Sequence, residues 1–213
     1  MRAPRGATHV RVGRPSSTAA LTVAERRHVA TFTDPGRAAE FRVARSWVRM
    51  VLSDYLDADP LALRLATGRW GKPHLVGHEL HYNLSHTGGL CALAVSDRPV
   101  GIDVEPATRD LRTALGRCGS PRERHRLRGR PITDVVTVWT VKEAYAKALG
   151  LGHRCTFAHL ETDEPLDGGS WTVRNDPDLL VDVRHDVPGH VLAVAHASGS
   201  PVTALDLTQV VTS

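Results

Sequence analysis

A helix followed by a β-hairpin occurs twice in this chain, about one hundred residues apart, and this repeat limits the folds available to it. Apolar residues recur at helical spacing over residues 37–55, and a second helical pattern covers residues 135–149. Each helix precedes two apolar stretches joined by a glycine-containing turn, at 80–95 and at 180–195. The sequence therefore predicts an α+β fold of two similar helix-plus-antiparallel-sheet halves related by a pseudo-twofold axis.

The repeat divides the chain into an N-terminal α+β half, residues 1–105, and a C-terminal α+β half, residues 106–213. The second hairpin lacks the Ser85-His86 pair that ends the first strand of the first hairpin. An active site built on this repeat must therefore use the two halves differently, and we expect it in the cleft between them. Because the repeat supplies within one chain what a dimer would supply, we also expect a monomer.

Composition excludes several classes of protein. The 213 residues are 41% hydrophobic and suffice to bury a core, while no apolar run approaches the length of a membrane span. The basic start of the sequence leads into no apolar segment, so we expect no secretory signal. Three widely spaced cysteines, Cys91, Cys118 and Cys155, argue against a disulfide framework and favour the cytoplasm.

The positive charge is carried mostly by arginine. The formal net charge is +4, and only Lys72, Lys142 and Lys147 among 27 basic residues are lysines. A basic chain suits an acidic partner or a phosphorylated ligand. Residues 106–134 are Arg-rich and read as loop, but they lack the interleaved aromatic residues that stack on bases. We therefore favour a solvated face or a docking patch for an acidic protein over a nucleic-acid site.

Acidic and basic side chains are grouped at two places. On the second helix, Trp139, Glu143 and Lys147 are four residues apart and form one row, where the last two alone would be an ordinary exposed ion pair worth ~0.2–0.5 kcal/mol. On the strand predicted at 100–105, alternation puts Asp103 and Glu105 on one face. Two carboxylates so placed repel each other unless a cation or donor lies between them, or unless water screens an exposed edge.

Together, these groups suit a metal–diphosphate ligand. Three carboxylates could supply oxygen ligands for Mg²⁺, and lysine, histidine and hydroxyl groups hold phosphate oxygens. The metal would neutralise charge on a leaving group, and a carboxylate would accept a proton from an attacking hydroxyl. The residues concerned are Lys72, Ser85, His86, Asp103, Glu105, Glu143 and Lys147.

A zinc site is the competing interpretation. His74, His78 and His81 lie close together in the sequence. Their spacing does not match the His-Glu-x-x-His pattern in which two histidines one helical turn apart hold zinc. We therefore prefer magnesium.

Four blocks of this sequence, in order, resemble the signature of the 4′-phosphopantetheinyl transferases, and most closely the longer, single-chain, surfactin-synthetase-activating type. The resemblance covers residues 37–152, and the family's pseudo-dimeric α+β fold agrees with the repeat. The blocks are Gly71-Lys72-Pro73, Asn83-Leu84-Ser85-His86-Thr87, Val100-Gly101-Ile102-Asp103-Val104-Glu105 and Trp139-x-x-Lys142-Glu143-Ala144-x-x-Lys147.

The resemblance implies a Mg²⁺-dependent enzyme. Its substrate would be coenzyme A, whose 4′-phosphopantetheine arm would be transferred to a serine of an apo acyl or peptidyl carrier protein, releasing adenosine 3′,5′-bisphosphate. Such an enzyme serves polyketide, nonribosomal peptide or fatty acid synthesis. The resemblance implies no nucleic-acid or membrane partner.

The resemblance also implies residue roles. Asp103, Glu105 and Glu143 would surround Mg²⁺, and Glu143 would be the base for the carrier serine. Lys147 would contact the pyrophosphate. We expect Glu143, Lys147 and His86 to be catalytic. The side chains or turns expected to contact coenzyme A, including its adenine and 3′-phosphate, are Arg37, Arg45, Gly71, Lys72, Pro73, Ser85, His86, Asp103, Glu143 and Lys147.

Two features differ from the family pattern or are not explained by it. Relatives carry aromatic residues and contact the carrier at the segment corresponding to 106–134, which is Arg-rich here. The resemblance assigns no role to Lys142. A non-catalytic module that binds coenzyme A or a carrier is the alternative function, and its expected mark is a broken acidic triad, whereas Asp103, Glu105 and Glu143 are all present.

Overall fold

The computed structural model describes residues 4–151, 157–165, 169–174 and 176–209. Runs of helices and runs of strands follow one another along the chain, and the α+β class predicted from the sequence is confirmed. The helices are α1 (Val23–Val29), α2 (Pro35–Leu56), α3 (Arg112–Cys118), α4 (Pro121–Arg126) and α5 (Ile132–Leu149). The strands are β1 (Thr8–Gly13), β2 (Leu65–Thr67), β3 (Pro73–Leu75), β4 (His81–Thr87), β5 (Leu90–Ser96), β6 (Gly101–Pro106), β7 (Thr162–Asp163), β8 (Trp171–Val173), β9 (Asp176–Arg184), β10 (His190–Ala197) and β11 (Val202–Gln209).

The strands form two main sheets and a small hairpin. The first sheet has the order β11-β1-β5-β4 and the second has the order β6-β10-β9-β8-β7, while β2 pairs with β3. Only the pairing of β1 with β11 is parallel among the strand pairs of the described residues. The two hairpins expected from the sequence are β4–β5 and β9–β10.

The same order of elements occurs in both halves. In the first half, β1, α2, β4 and β5 give the sheet order β1-β5-β4. In the second half, β6, α5, β9 and β10 give the order β6-β10-β9, again antiparallel. The repeated helix-plus-hairpin topology is thus present, and the pseudo-twofold axis stays a prediction. The strand β6, placed at the end of the N-terminal half by the division at residue 105, hydrogen-bonds into the second sheet.

The repeat distance of about one hundred residues sets Ala94 against Val194, and the strand registers then give the other correspondences between the copies. Ala94 on β5 pairs with Asn83 on β4, and Val194 on β10 pairs with Asp182 on β9. Counting onward along β4 and β9, Ser85 corresponds to Arg184 and His86 to His185. The second copy therefore keeps the histidine of the Ser-His pair and replaces the serine by arginine.

Three apolar clusters form the core. The two sheets pack on each other through their inner faces, which include Val10, Ala94, Ile102 and Val194. Helix α2 covers the outer face of the first sheet, and α5 covers the outer face of the second. No helix in the described ranges is both long and apolar enough to cross a bilayer.

Local sequence signals explain where the principal helices begin and end. Asp34 caps α2, because its carboxylate accepts hydrogen bonds from the backbone N–H groups of Gly36 and Arg37, and Pro35 occupies the first turn. The sequence Asp34-Pro35-Gly36 therefore marks the N-terminal boundary of α2. Helix α5 ends at Gly150, whose φ of 67° lies in the left-handed region that favours glycine.

The expectation that residues 106–134 are mostly loop is wrong. The segment contains α3 and α4, and α4 begins with a capping box in which Ser120 and Glu123 satisfy each other's backbone N–H groups. The high arginine content hid this signal, because charged residues interrupt the apolar periodicity by which helices are recognised. Of the three cysteines, Cys91 and Cys118 are free thiols, and Cys155 lies outside the described residues.

The edge strands β4 and β6 of the two sheets meet through side chains. Asn83 Oδ1 accepts a hydrogen bond of 2.9 Å from the Ile102 backbone N–H, and Ser85 Oγ accepts one of 3.3 Å from the Val104 N–H. Two side chains of β4 thereby satisfy backbone donors of β6 that a further strand would otherwise pair. This junction joins the two halves without making the sheets continuous.

Gly101 sets the distance between β6 and α5. A Cβ atom at this position would lie 2.0 Å from the Ala144 carbonyl oxygen and 2.4 Å from the Ala148 backbone nitrogen. These neighbours are backbone atoms of a helix and cannot turn aside as a flexible side chain can. The strand and the helix therefore approach to backbone contact only because residue 101 is glycine.

We expect Gly101→Ala to destabilise the protein by about 3 kcal/mol or more, at or above the upper end of ordinary overpacking, because backbone must move to admit the methyl group. Chemical denaturation of both proteins measures the difference. Gly116→Ala is the matched control: nothing lies within 4 Å of its Cβ position on α3, and the helix should gain roughly 0.5–1 kcal/mol. Equal effects of the two substitutions would contradict the packing argument.

Candidate active site

Three predicted site residues meet where β4, β6 and α5 come together. The Lys147 ammonium lies 2.6 Å from Asp103 Oδ1 and 3.2 Å from Ser85 Oγ, and the Ser85 hydroxyl donates to the same Asp103 oxygen at 2.9 Å. Asp103 and Ser85 are buried, whereas the Lys147 side chain is 29% exposed. Residues distant in sequence thus form one polar cluster whose cation remains accessible to a ligand.

The strand β6 presents two buried carboxylates on the side facing α5, as alternation predicted. Ile102 and Val104 face the core between the sheets, so Asp103 and Glu105 point the other way. Glu105 is held by Arg109, whose guanidinium donates to both carboxylate oxygens at 2.6 Å. Each carboxylate therefore already has a compensating cation, as two like charges near each other require.

Glu143 and Trp139 occupy the preceding turns of α5. Glu143 is half-buried and lies one turn before Lys147, on the row expected from the sequence. Trp139 is half-buried against the second-half core and contacts Phe157 edge to face at 5.4 Å. The tryptophan is thus a packing residue.

The fit of this site to Mg²⁺ rests on Asp103. Its Oδ2 atom is buried and has no hydrogen-bond partner within the described residues, which leaves lone pairs available to a hard cation. Those residues contain no group of three or more His, Cys, Asp or Glu side chains placed to hold a metal, so neither the zinc alternative nor a complete three-carboxylate set is observed. Asp103, Glu105 and Glu143 as Mg²⁺ ligands stay a prediction.

A pocket of about 210 Å³ lies on the other side of β4, between this strand and α2. Its wall contains two arginines that each lie over a phenylalanine ring: Arg37 over Phe32 at 5.9 Å and Arg45 over Phe41 at 5.4 Å. Two guanidinium groups beside aromatic rings suit a ligand that carries a phosphate and a flat ring. Four residues predicted to contact coenzyme A line this pocket: Arg37, Arg45, Pro73 and His86.

The strand β4 therefore contributes side chains both to the polar cluster and to the pocket. Ser85 is buried and faces Asp103 and Lys147, whereas the adjacent residue His86 is exposed and lines the pocket. Alternation along a strand sends neighbouring side chains to opposite faces. The Ser-His pair predicted to act on the phosphates is thus divided between the polar cluster and the Arg–Phe pocket.

The turn Gly71-Lys72-Pro73 is placed differently from the expectation for its lysine. Gly71 adopts a φ of 90° and closes the β2–β3 turn, and Pro73 lines the pocket. The Lys72 ammonium instead donates to the backbone carbonyls of Val100, at 3.0 Å, and Ala148, at 2.7 Å. Burial lowers the pKa of Lys72 to about 8.

Lys142, which the sequence left without a role, forms a fully buried ion pair with Glu123 of α4. Its ammonium lies 2.5 Å from Glu123 Oε2 and also donates to the Phe157 carbonyl at 2.8 Å. Glu123 additionally accepts hydrogen bonds from the backbone N–H and the hydroxyl of Thr162. The motif lysine therefore fastens α4 and the segment before β7 to α5.

A similar ion pair joins two helices in the first half. Glu25, the third residue of α1 and part of a capping box with Thr22, binds the guanidinium of buried Arg49 on α2 through both carboxylate oxygens, the shorter contact being 2.9 Å. Arg45 of the pocket lies 3.5 Å from the same carboxylate. The capping patterns were readable from the sequence, but the buried cations that complete them were not, because arginine and lysine are usually exposed.

Comparisons with known proteins identify the family. Residues 99–195 match the model of the 4′-phosphopantetheinyl transferase superfamily. The 4′-phosphopantetheinyl transferase HetI of Nostoc sp. is 35% identical over 132 residues, covering 57% of this chain and 56% of HetI. A 4′-phosphopantetheinyl transferase of Bacillus subtilis is 27% identical over 144 residues, covering 64% of this chain and 59% of the relative. These matches support the family predicted from the four sequence blocks, and the superfamily model matches residues 99–195.

The matches cover only part of this chain and part of each relative. This chain spans little more than half of the curated relatives named above. Among solved structures, the holo-[acyl-carrier-protein] synthase of Thermotoga maritima overlaps with a TM-score of 0.38 at 25% identity, covering 46% of this chain and 61% of the synthase. The fold described here therefore rests on the strand order and the packing of this chain.

We expect Lys142→Met to cost about 3–5 kcal/mol of unfolding free energy, because Glu123 would remain buried without its cation. The double variant Lys142→Met/Glu123→Gln should recover much of that loss, since the amide oxygen can still accept from Thr162. Chemical denaturation of both variants and of Glu123→Gln completes the cycle. Additive losses would show that the two side chains do not interact.

The Lys142–Glu123 pair also leads us to expect a pH dependence of stability. Burial by itself raises the pKa of Glu123, but the hydrogen bonds from Lys142, Thr162 and Ser120 outweigh it and lower the pKa overall. The contribution of Glu123 to the free energy of unfolding is therefore fully present above the pKa that this carboxyl has in the unfolded chain. It is lost as the pH falls through the lowered pKa of the folded state. Denaturation at pH 7 and in acid should show this loss in the wild type and a smaller one in Glu123→Gln.

Proposed function

We propose that this protein transfers the 4′-phosphopantetheine group of coenzyme A to a serine of an apo acyl or peptidyl carrier protein, with Mg²⁺ as cofactor. The single observation that carries the proposal is the arrangement on β4. Its two faces bring a Lys147–Asp103–Ser85 cluster and an Arg- and Phe-lined pocket to opposite sides of one strand. One extended ligand, with a diphosphate at the cluster and a nucleotide in the pocket, accounts for both compartments.

The pocket would hold the nucleotide end of coenzyme A. Arg37 and Arg45 would bind the 3′-phosphate, and Pro73 would lie against the adenine. His86 lines the same pocket and directly follows Ser85 on β4, so it would reach phosphate oxygens at the pocket's edge. Guanidinium groups suit this task because their forked donors match phosphate geometry.

The cluster would hold the diphosphate. Lys147 is already desolvated on one side by its contacts with Asp103 and Ser85, and its exposed side would bind a diphosphate oxygen. Asp103, with Glu105 and Glu143, would hold Mg²⁺, which would neutralise charge on the diphosphate. Arg109 has a side chain that is 52% exposed, so it can move into solvent, and Mg²⁺ would then replace it as the counter-ion of the buried Glu105.

The transfer itself needs a base and a leaving group. The carrier serine oxygen would form a bond to the phosphorus that bears the pantetheine arm, while the bond from that phosphorus to the bridging oxygen breaks. Glu143 would accept the serine proton, and adenosine 3′,5′-bisphosphate would leave with the bridging oxygen. Lys147, one turn from Glu143, would stabilise the negative charge that grows on the departing phosphate.

The finer assignments also belong to this proposal. We place the protein in the cytoplasm as a monomer, acting in polyketide, nonribosomal peptide or fatty acid synthesis. The free thiols of Cys91 and Cys118 are compatible with a reducing compartment, and the internal repeat supplies both sheets. Light scattering by the purified chain reports the oligomeric state.

Mass spectrometry tests the transfer directly. Incubation with coenzyme A, Mg²⁺ and a panel of apo carriers of fatty-acid and natural-product type should add the mass of one phosphopantetheine to at least one carrier. Glu143→Gln should lose most of this activity, roughly 10²–10⁴-fold for a lost general base, while calorimetry shows coenzyme A binding largely kept. Wild-type protein that binds coenzyme A but modifies none of the carriers would favour the non-catalytic module.

We propose that the Arg-rich helices α3 and α4 form the surface that docks an acidic carrier protein. They follow directly after Arg109, whose guanidinium contacts Glu105 in the cluster. Arg117 on α3 is exposed, and so is Arg128, which lies two residues after the end of α4. Positive charge near a site attracts an acidic helix and raises the association rate in a salt-dependent way.

We therefore expect Arg117→Glu/Arg128→Glu to raise the KM for an acidic carrier about tenfold at low salt, with the KM for coenzyme A unchanged. The control is Arg27→Glu, an exposed arginine on α1 in the other half. Steady-state kinetics at two salt concentrations measure both constants. A double variant indistinguishable from the control would place the docking surface elsewhere.

A further inference from the structure

The Lys72 ammonium joins three segments that are distant in sequence. It lies in the turn between β2 and β3 and donates to the carbonyl of Val100, immediately before β6, and to that of Ala148, in the last turn of α5. The contacts measure 3.0 and 2.7 Å. One side chain of the first half therefore bridges the strand and the helix that carry the polar cluster.

The end of α5 is well suited to receive this cation. Carbonyl groups of a helix's last turn lack intrahelical partners, and a positive charge is favoured there by the helix dipole. The stem of Lys72 also packs across Gly150, where a Cβ atom would lie 3.3 Å from the Lys72 Cδ atom. Hydrogen bonds and packing both fix the position of this helix end.

The bridge is adjacent to the reacting groups. Ala148 follows Lys147 directly, and Val100 is three residues before Asp103. The 2.6 Å contact between Lys147 and Asp103 crosses the same strand–helix junction that Lys72 spans. A displacement of α5 along β6 would therefore change that contact and the place where Lys147 meets a diphosphate.

We propose that Lys72 is a positioning residue, which holds the end of α5 against the start of β6 and so sets the position of Lys147 relative to Asp103. The role rests on the proposed transfer reaction and differs from ligand binding by the ammonium. The turn that contains Lys72 also supplies Pro73 to the nucleotide pocket. Lys72 thus couples the pocket wall to the cluster, and its lowered pKa of about 8 reflects the buried position that this contact requires.

Lys72→Met tests the proposal, because methionine keeps a comparable stem and removes the donor. We expect kcat to fall by about 10–100-fold, while the KM for coenzyme A changes less than about threefold, since a small misplacement of a reacting group can cost a hundredfold in rate. Lys72→Arg can again donate to both carbonyls and should recover at least half of the lost activity on a logarithmic scale. Arg69→Met, an exposed neighbour in the same turn, is the control and should behave as wild type.

Two further measurements test the structural role of Lys72 independently of the kinetics. Thermal unfolding confirms that the compared proteins are folded, and hydrogen exchange reports on the junction without requiring any activity. Amides at 101–104 and 144–149 should exchange faster in Lys72→Met than in the wild type or in Arg69→Met. A raised KM for coenzyme A with kcat kept, or unchanged exchange at the junction, would overturn the positioning role. An inactive wild type with faster exchange in Lys72→Met would refute the proposed function while supporting the bridge.

Discussion

The backbone contact between β6 and α5 at Gly101 is the constraint on which the rest of this structure depends. No side chain larger than hydrogen fits between the strand and the carbonyl of Ala144. Because the two elements touch there, Asp103, two residues further along the strand, reaches Lys147 on the helix. The polar cluster is thus a consequence of close packing, and the cost of burying its charges is offset by their mutual contacts and by the Ser85 hydroxyl.

Three contacts fix α5 on two of its sides. Gly101 and Lys72 hold its C-terminal half against β6, while the buried Lys142–Glu123 pair holds α4 on its other side. Rigid packing of the neighbouring elements suits a helix whose Glu143 and Lys147 must meet a ligand at defined positions. It also explains why the Trp-x-x-Lys-Glu-Ala-x-x-Lys block contains a lysine that faces away from the cluster: that lysine supports the helix.

The helix-plus-hairpin topology occurs twice in this fold, and sequence differences make the two occurrences unequal. Both copies combine a helix with an antiparallel hairpin and attach a short capped helix through an acid paired with a buried base. The first copy places Ser85 and His86 where the second has Arg184 and His185. Only the first therefore offers a small hydroxyl at the junction of the sheets, where a longer arginine side chain would not leave room beside Asp103.

Four ordered sequence blocks indicated the family. The sequence alone also determined the α+β class, the two hairpins, the approximate limits of the main helices, and the face that Asp103 and Glu105 share. These features follow from periodicity, capping residues and strand alternation, which act within a few residues of each other. Tertiary structure decided what depends on contacts across the fold: the meeting of β4 with β6, the burial of Glu123 with Lys142, and the bridge from Lys72 to α5. Local patterns could not reveal them, because a lysine or glutamate reads as exposed until the fold supplies its buried partner.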